Sequence, residues 1–236
     1  MTSELIYLLL FGIVILCGSS VLFLSISSKT LKLILAFSGA YLLAIAVMHL
    51  IPEIYTHATF KTGLIILAGF LLQIVIEYFS EGIEHGHIHI HGHEEKIFPA
   101  TMMLALSIHS FVEGMPLSGE LTEIKKSLAT GIILHNIPIS IALVSMLLES
   151  GQKKSTAIFW LIIFALMTPA GALTGNLLET HLGIVSRYSN YLMALVVGIF
   201  LHVSTTILFE SSEHHRFNII KLLTILAGMC LAIIII

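Results

Sequence analysis

Charge is scarce in this chain. Only 11% of its 236 residues are Asp, Glu, Lys or Arg, 57% are hydrophobic, and mean hydropathy is +1.01. A soluble domain averages about a quarter charged residues, so the composition excludes an ordinary water-soluble globule and defines a polytopic membrane protein, all-α in class. The formal charge of −3, with histidines neutral, is too small to imply nucleic acid or an anionic surface as partner. Cysteine is nearly absent too: Cys17 and Cys230 sit in apolar runs near opposite ends, which leaves neither a disulfide framework nor a cysteine-rich zinc site. Residues 1–26 lack a basic leader segment and run for about 20 apolar positions, the length of a span rather than of a signal peptide's apolar core.

What is there is a series of apolar runs. Spans are expected over 5–26, 33–51, 63–79, 97–117, 128–148, 157–177, 191–209 and 219–236, a bundle of about eight transmembrane helices with short loops in a single domain, 1–236. An even number of crossings puts both termini on one side. If that side is outside, the inward loops hold seven basic residues (Lys29, Lys32, Lys96, Lys153, Lys154, Arg216, Lys221) against four outside (Lys61, Lys125, Lys126, Arg187). The excess favours both termini outside, in a plasma or inner membrane.

The polar residues inside these runs carry the chemistry. In the fourth span L-S-I-H-S-F-V-E-G, residues 106–114, His109 and Glu113 stand four apart and project from one helix face. The fifth span repeats the device with His135, Asn136 and Pro138. An ionisable group at membrane depth costs about 3 kcal/mol or more, so such groups face a bundle interior, pair, and mark a path for ions or protons. A packing pair is the plain alternative for His109 and Glu113, but a metal ligand set explains both motifs together. Pro138 also frees a backbone carbonyl for a cation or a water.

Three further features are weaker. His49 and Glu53 repeat the four-residue spacing at the end of the second span, where Pro52 can kink or end the helix; capping and pathway roles stand level there. His202, beside Thr205 and Thr206, reads first as a packing residue and second as part of the pathway. Between the third and fourth spans, His85, His87, His89, His91 and His93 alternate among glycines and glutamates, the composition of a flexible metal-binding tract. Gly114, Gly119, Gly171, Gly175 and Gly198 are expected to let helices approach closely.

Taken together these residues resemble the ZIP (Zrt-, Irt-like protein) family of divalent-metal transporters. The resemblance runs through H-L-I-P-E at 49–53, G-F-L-L-Q-I-V-I-E at 69–77, the histidine-rich loop, H-S-F-V-E-G at 109–114, H-N-I-P at 135–138 and G-I-F-L-H-V-S-T-T-I-L-F-E at 198–210. It implies an eight-helix bundle with extracellular termini, a homodimer, a metal site between the fourth and fifth helices, and entry of zinc, iron or manganese into the cytoplasm. Many members resemble one another in a binuclear site; here Ser110, Ile139, Thr168, Thr206 and Phe209 occupy positions where they carry other residues. The H-S-x-x-E-G form resembles the branch with essentially one central metal.

The sequence therefore predicts transport of zinc, or of iron, manganese or cadmium, through His109, Glu113 and His135, with Ser110 and Asn136 as weak oxygen ligands or as partners behind the ligands. Two imidazoles and a carboxylate suit zinc and its neighbours, whereas calcium and magnesium want more oxygens. The metal is substrate, and no prosthetic group is expected. No G-x-x-x-x-G-K loop occurs, so transport is passive or gradient-coupled. An intramembrane zinc hydrolase is the rival reading. It lacks H-E-x-x-H, since the His93-Glu94 pair has no second histidine behind it. A metal sensor merely anchored by the membrane part fits poorly with ligands placed inside the spans.

Overall fold

The computed structural model describes residues 3–56, 59–80, 82–83, 100–182, 184–210 and 219–235. The histidine tract, His85 to His93, lies outside the described residues. Eight helices account for nearly all of them: α1 (Ser3–Ser20), α2 (Ser28–Tyr55), α3 (Phe60–Ser80), α4 (Ala100–Gly114), α5 (Glu123–Glu149), α6 (Lys154–Leu182), α7 (Ile184–Glu210) and α8 (Ile219–Ile234). Six are long and apolar enough to cross a membrane; the exceptions are α4 and α8. At 15 residues α4 rises about 22 Å before a tight turn at Met115–Leu117. The protein is an integral, multi-pass helical membrane protein.

Local chemistry moves several helix ends from the expected positions. The first span stops at Ser20 rather than 26, where the Ser19 and Ser20 hydroxyls donate back to the Leu16 and Cys17 carbonyls at 3.2 and 2.6 Å and compete with helix continuation. Ser27 then caps α2, its hydroxyl accepting from the Thr30 amide at 3.1 Å. α5 begins five residues before the expected span at 128, so Glu123, Lys125 and Lys126 fall in its first turn. Thr122 caps it by accepting from the Lys125 amide at 3.3 Å, and Glu123 complements the helix dipole.

Pro52 ends nothing. The helix widens into a π turn over Ala46–Leu50 and resumes at Ile51–Tyr55, so the proline falls in the first turn of the resumed segment, where its missing N–H is tolerated. Pro138 and Pro169 likewise lie inside α5 and α6 without ending them.

The helices sort into two packed groups. α1 packs on α5 and α6, and α4 on α6; α2 packs on α7 and α8, and α3 on α7. α2 against α5 and α3 against α4 join the groups. Glycine makes the tightest seams. A Cβ on Gly198 would strike the Ile66 carbonyl and one on Gly69 the Leu195 carbonyl, so only glycine lets α3 and α7 meet backbone to backbone. Gly114 and Gly171 do the same for α4 and α6, against the Thr168 and Phe111 carbonyls. Gly119 differs from the expectation of close packing: with φ of +73° it makes the turn after α4.

Candidate metal site

His109 and Glu113 occupy adjacent turns of α4, and His135 faces them from α5; all three are completely buried. His109 Nε2 lies 3.1 Å from Glu113 Oε1. The His109 and His135 rings stand edge to face with centroids 5.9 Å apart. One ligand atom from each of the three falls within 4.8 Å of the others. The backbones of α4 and α5 approach each other only sparsely, so the side chains bridge the two helices.

A residue from the other helix group fixes the tautomer of His109. Gln73, buried on α3, places its carbonyl oxygen Oε1 2.9 Å from His109 Nδ1. An amide oxygen only accepts, so Nδ1 carries the hydrogen and Nε2 is turned toward Glu113. Neither oxygen of Glu113 has a hydrogen-bond partner among the described residues. A buried carboxylate and a facing imidazole nitrogen at 3.1 Å need a positive charge shared between them. That separation is close to the edge of a zinc tetrahedron, about 3.4 Å for Zn–N and Zn–O bonds of about 2.1 Å.

Two neutral oxygens lie next in sequence to the histidines. Ser110 Oγ and Asn136 Oδ1 are buried and without a hydrogen-bond partner among the described residues. Asn136 is held by its other end, Nδ2 donating to Thr168 Oγ1 at 3.3 Å just before Pro169 of α6. Because a proline has no N–H, Pro138 leaves the Leu134 carbonyl, next to His135, without its usual helical partner.

The remaining sequence candidates fall elsewhere. His49 sits in the π turn of α2, half-buried, with Nε2 buried and without a hydrogen-bond partner among the described residues; Glu53 is exposed one turn on. His202 lies on α7 and packs against α3. Its Nδ1 lies 3.4 Å from Glu77 Oε2 of α3, and its ring meets the Phe70 ring edge-on at 4.9 Å. Gln73 and Glu77 are marked in the sequence only as polar residues four positions apart in an otherwise apolar run, which does not say what they meet.

The fold and the buried donors define a helical membrane protein with a buried His–Glu–His cluster whose donors could hold a metal ion. A family model described as ZIP zinc transporter matches residues 83–236, well over half of the chain, and the chain belongs to that family. Residues 83–236 include α4 to α8 and so both histidines of the central site, whereas α1 to α3 precede the matched stretch. The chain is 28% identical over 162 residues to Protein zntD of Dictyostelium discoideum, covering 63% of this chain and 24% of that protein. It is likewise 28% identical over 160 residues to Zinc transporter ZIP1 of Danio rerio, covering 64% of this chain and 53% of that protein. The chain thus spans about half or less of the length of these curated relatives.

Proposed function

We propose that this protein moves zinc across a membrane into the cytoplasm through one central site formed by His109, Glu113 and His135. The observation that carries the proposal is the buried His109 Nε2 to Glu113 Oε1 approach of 3.1 Å, with Nδ1 committed to Gln73 and His135 opposite. Three protein ligands leave one tetrahedral position open. An open position lets water or the next ligand enter, which release of the ion requires.

Ser110 and Asn136 serve as weak oxygen ligands or steady the ion's water. His49 and Glu53 line one end of the path, His202 lies along it, and the tract His85 to His93 captures metal on the cytoplasmic side. The termini are outside, the membrane is a plasma or inner membrane, and the assembly in the bilayer is a homodimer. Iron, manganese and cadmium compete with zinc, because an imidazole and carboxylate set does not strictly select among borderline cations.

The test is zinc filling of proteoliposomes loaded with a zinc-sensitive dye. It compares the intact chain, His109→Ala, and a variant with the five tract histidines replaced by serine. Filling that His109→Ala abolishes and the tract variant only rescales supports transport through this site. Tightly bound zinc with no flux would overturn it.

A further inference from the structure

We propose that the turn formed by residues 115–119 is a cover over the central site, latched shut by Tyr7 and Asn176. The cover presupposes that the site holds zinc, as its donors are read above. α4 ends at Gly114, one residue after Glu113, whereas α5 runs from Glu123 past His135. His135 stands twelve positions into α5, a rise of about 18 Å. α4 therefore stops level with the central cluster while its neighbour continues well beyond, and the connecting turn fills the shaft that α4 leaves open.

The turn is buried as a core segment is. Pro116, Leu117 and Ser118 are all buried, the last two completely, although connecting segments ordinarily run over a protein's surface. Glycines of α6 seat it. A Cβ on Gly171 would approach the Met115 amide nitrogen at 3.3 Å, and one on Gly175 would strike the Met115 carbonyl at 2.8 Å and Ser118 Cβ at 2.7 Å. The turn also packs on α5 and, across the boundary between the two helix groups, on α7. It thus closes the end of the bundle at which α1 begins, the entry side in the proposed orientation.

Side chains from three helices hold three consecutive residues of the turn by their backbone. The Tyr7 hydroxyl of α1 donates to the Leu117 carbonyl at 3.4 Å, the Lys125 ammonium of α5 donates to the Ser118 carbonyl, and the Gly119 amide donates to Asn176 Oδ1 of α6 at 2.6 Å. Asn176 Nδ2 also donates to the Tyr7 hydroxyl oxygen at 2.9 Å, which joins two of the holds into one chain. Buried peptide groups outside a regular helix need such partners. Because these holds are side-chain bonds rather than a helical ladder, the turn can open locally while α4 and α5 stay wound. Its release uncovers the site, and its return seals the ion from water.

Stopped-flow capture and release of zinc by the metal-stripped, detergent-solubilised full chain tests this. The five tract histidines are changed to serine in every sample so that they do not contribute. A zinc-sensitive dye reads capture as loss of free zinc, and dilution of the loaded chain into excess dye reads release. Tyr7→Phe and Asn176→Leu change no charge, so neither alters the long-range attraction for the cation. Each should speed capture and release together by about threefold to tenfold, the weight of one or two hydrogen bonds, and leave the equilibrium affinity within about twofold. Residues that merely stabilise the fold would lower affinity through faster release alone. Capture that is unchanged or slower in both variants overturns the cover. His109→Ala judges the site separately: it should abolish capture, and if capture persists there the central assignment fails and the cover falls with it. Gel-filtration profiles matching the parent establish folding, and either latch variant suffices to decide.

Discussion

Two histidine–carboxylate pairs lie among the described residues of this bundle, and they differ in everything but chemistry. His109 and Glu113 come from one helix, at 3.1 Å, fully buried, with a second imidazole opposite. His202 and Glu77 come from two helices, at 3.4 Å, partly exposed, with a phenylalanine edge where the first pair has His135. Burial raises the demand for a shared cation, and a third ligand supplies the means to hold it. The contrast teaches that a metal site of this kind is set by what completes the pair rather than by the pair itself.

Removing the completing ligands should have the largest effect. His135→Ala and Glu113→Gln are each expected to lower zinc affinity by more than about 100-fold, since loss of a residue that merely supports a ligand costs about 10–100-fold. Isothermal titration of the tract-free chain measures this, and near-parental affinity in either variant would erase the distinction between the pairs. Gln73→Leu is next. It leaves every ligand in place but frees the His109 ring, so zinc affinity should fall about 10–100-fold.

Acidification acts on both pairs in one direction. Imidazole and carboxylate must be deprotonated to ligate, so zinc uptake should decline as pH falls from neutrality to about 5; uptake that stays flat or rises in the dye assay would contradict the ligand set. The smallest effect should come from Gly198→Ala. Its Cβ forces α3 from α7, which costs about 1–3 kcal/mol of stability and lowers the melting temperature. The Glu77–His202 spacing should suffer while tight zinc binding at His109 is retained. Loss of zinc binding at His109 as well would mean that the α3–α7 seam also supports the central cluster.

What could be read from the sequence follows the range over which its causes act. His109 with Glu113 depends only on the helical period, and the apolar runs announce the spans, so these were legible. The helix ends depended on single hydroxyls: Ser19 and Ser20 closing α1, Ser27 capping α2 and Thr122 capping α5. The π turn before Pro52 was hidden, because a proline in a sequence announces a missing donor but not how the neighbouring turns absorb it. Gln73 reaches His109 across 36 positions, and Glu77 reaches His202 from another helix altogether. Only the packing of α3 on α4 and α7 makes these contacts, and no local periodicity encodes it.

X-ray absorption at the zinc edge tests the central claim most directly. The tract-free chain would be loaded with less than one zinc per molecule so that only the tightest site fills. Nitrogen and oxygen neighbours at about 2.0–2.2 Å are expected, with the scattering signature of two imidazoles, reduced to one in His135→Ala. A shell containing sulfur, or one that His109→Ala and His135→Ala both leave unchanged, would contradict the assignment of the ion to His109, Glu113 and His135.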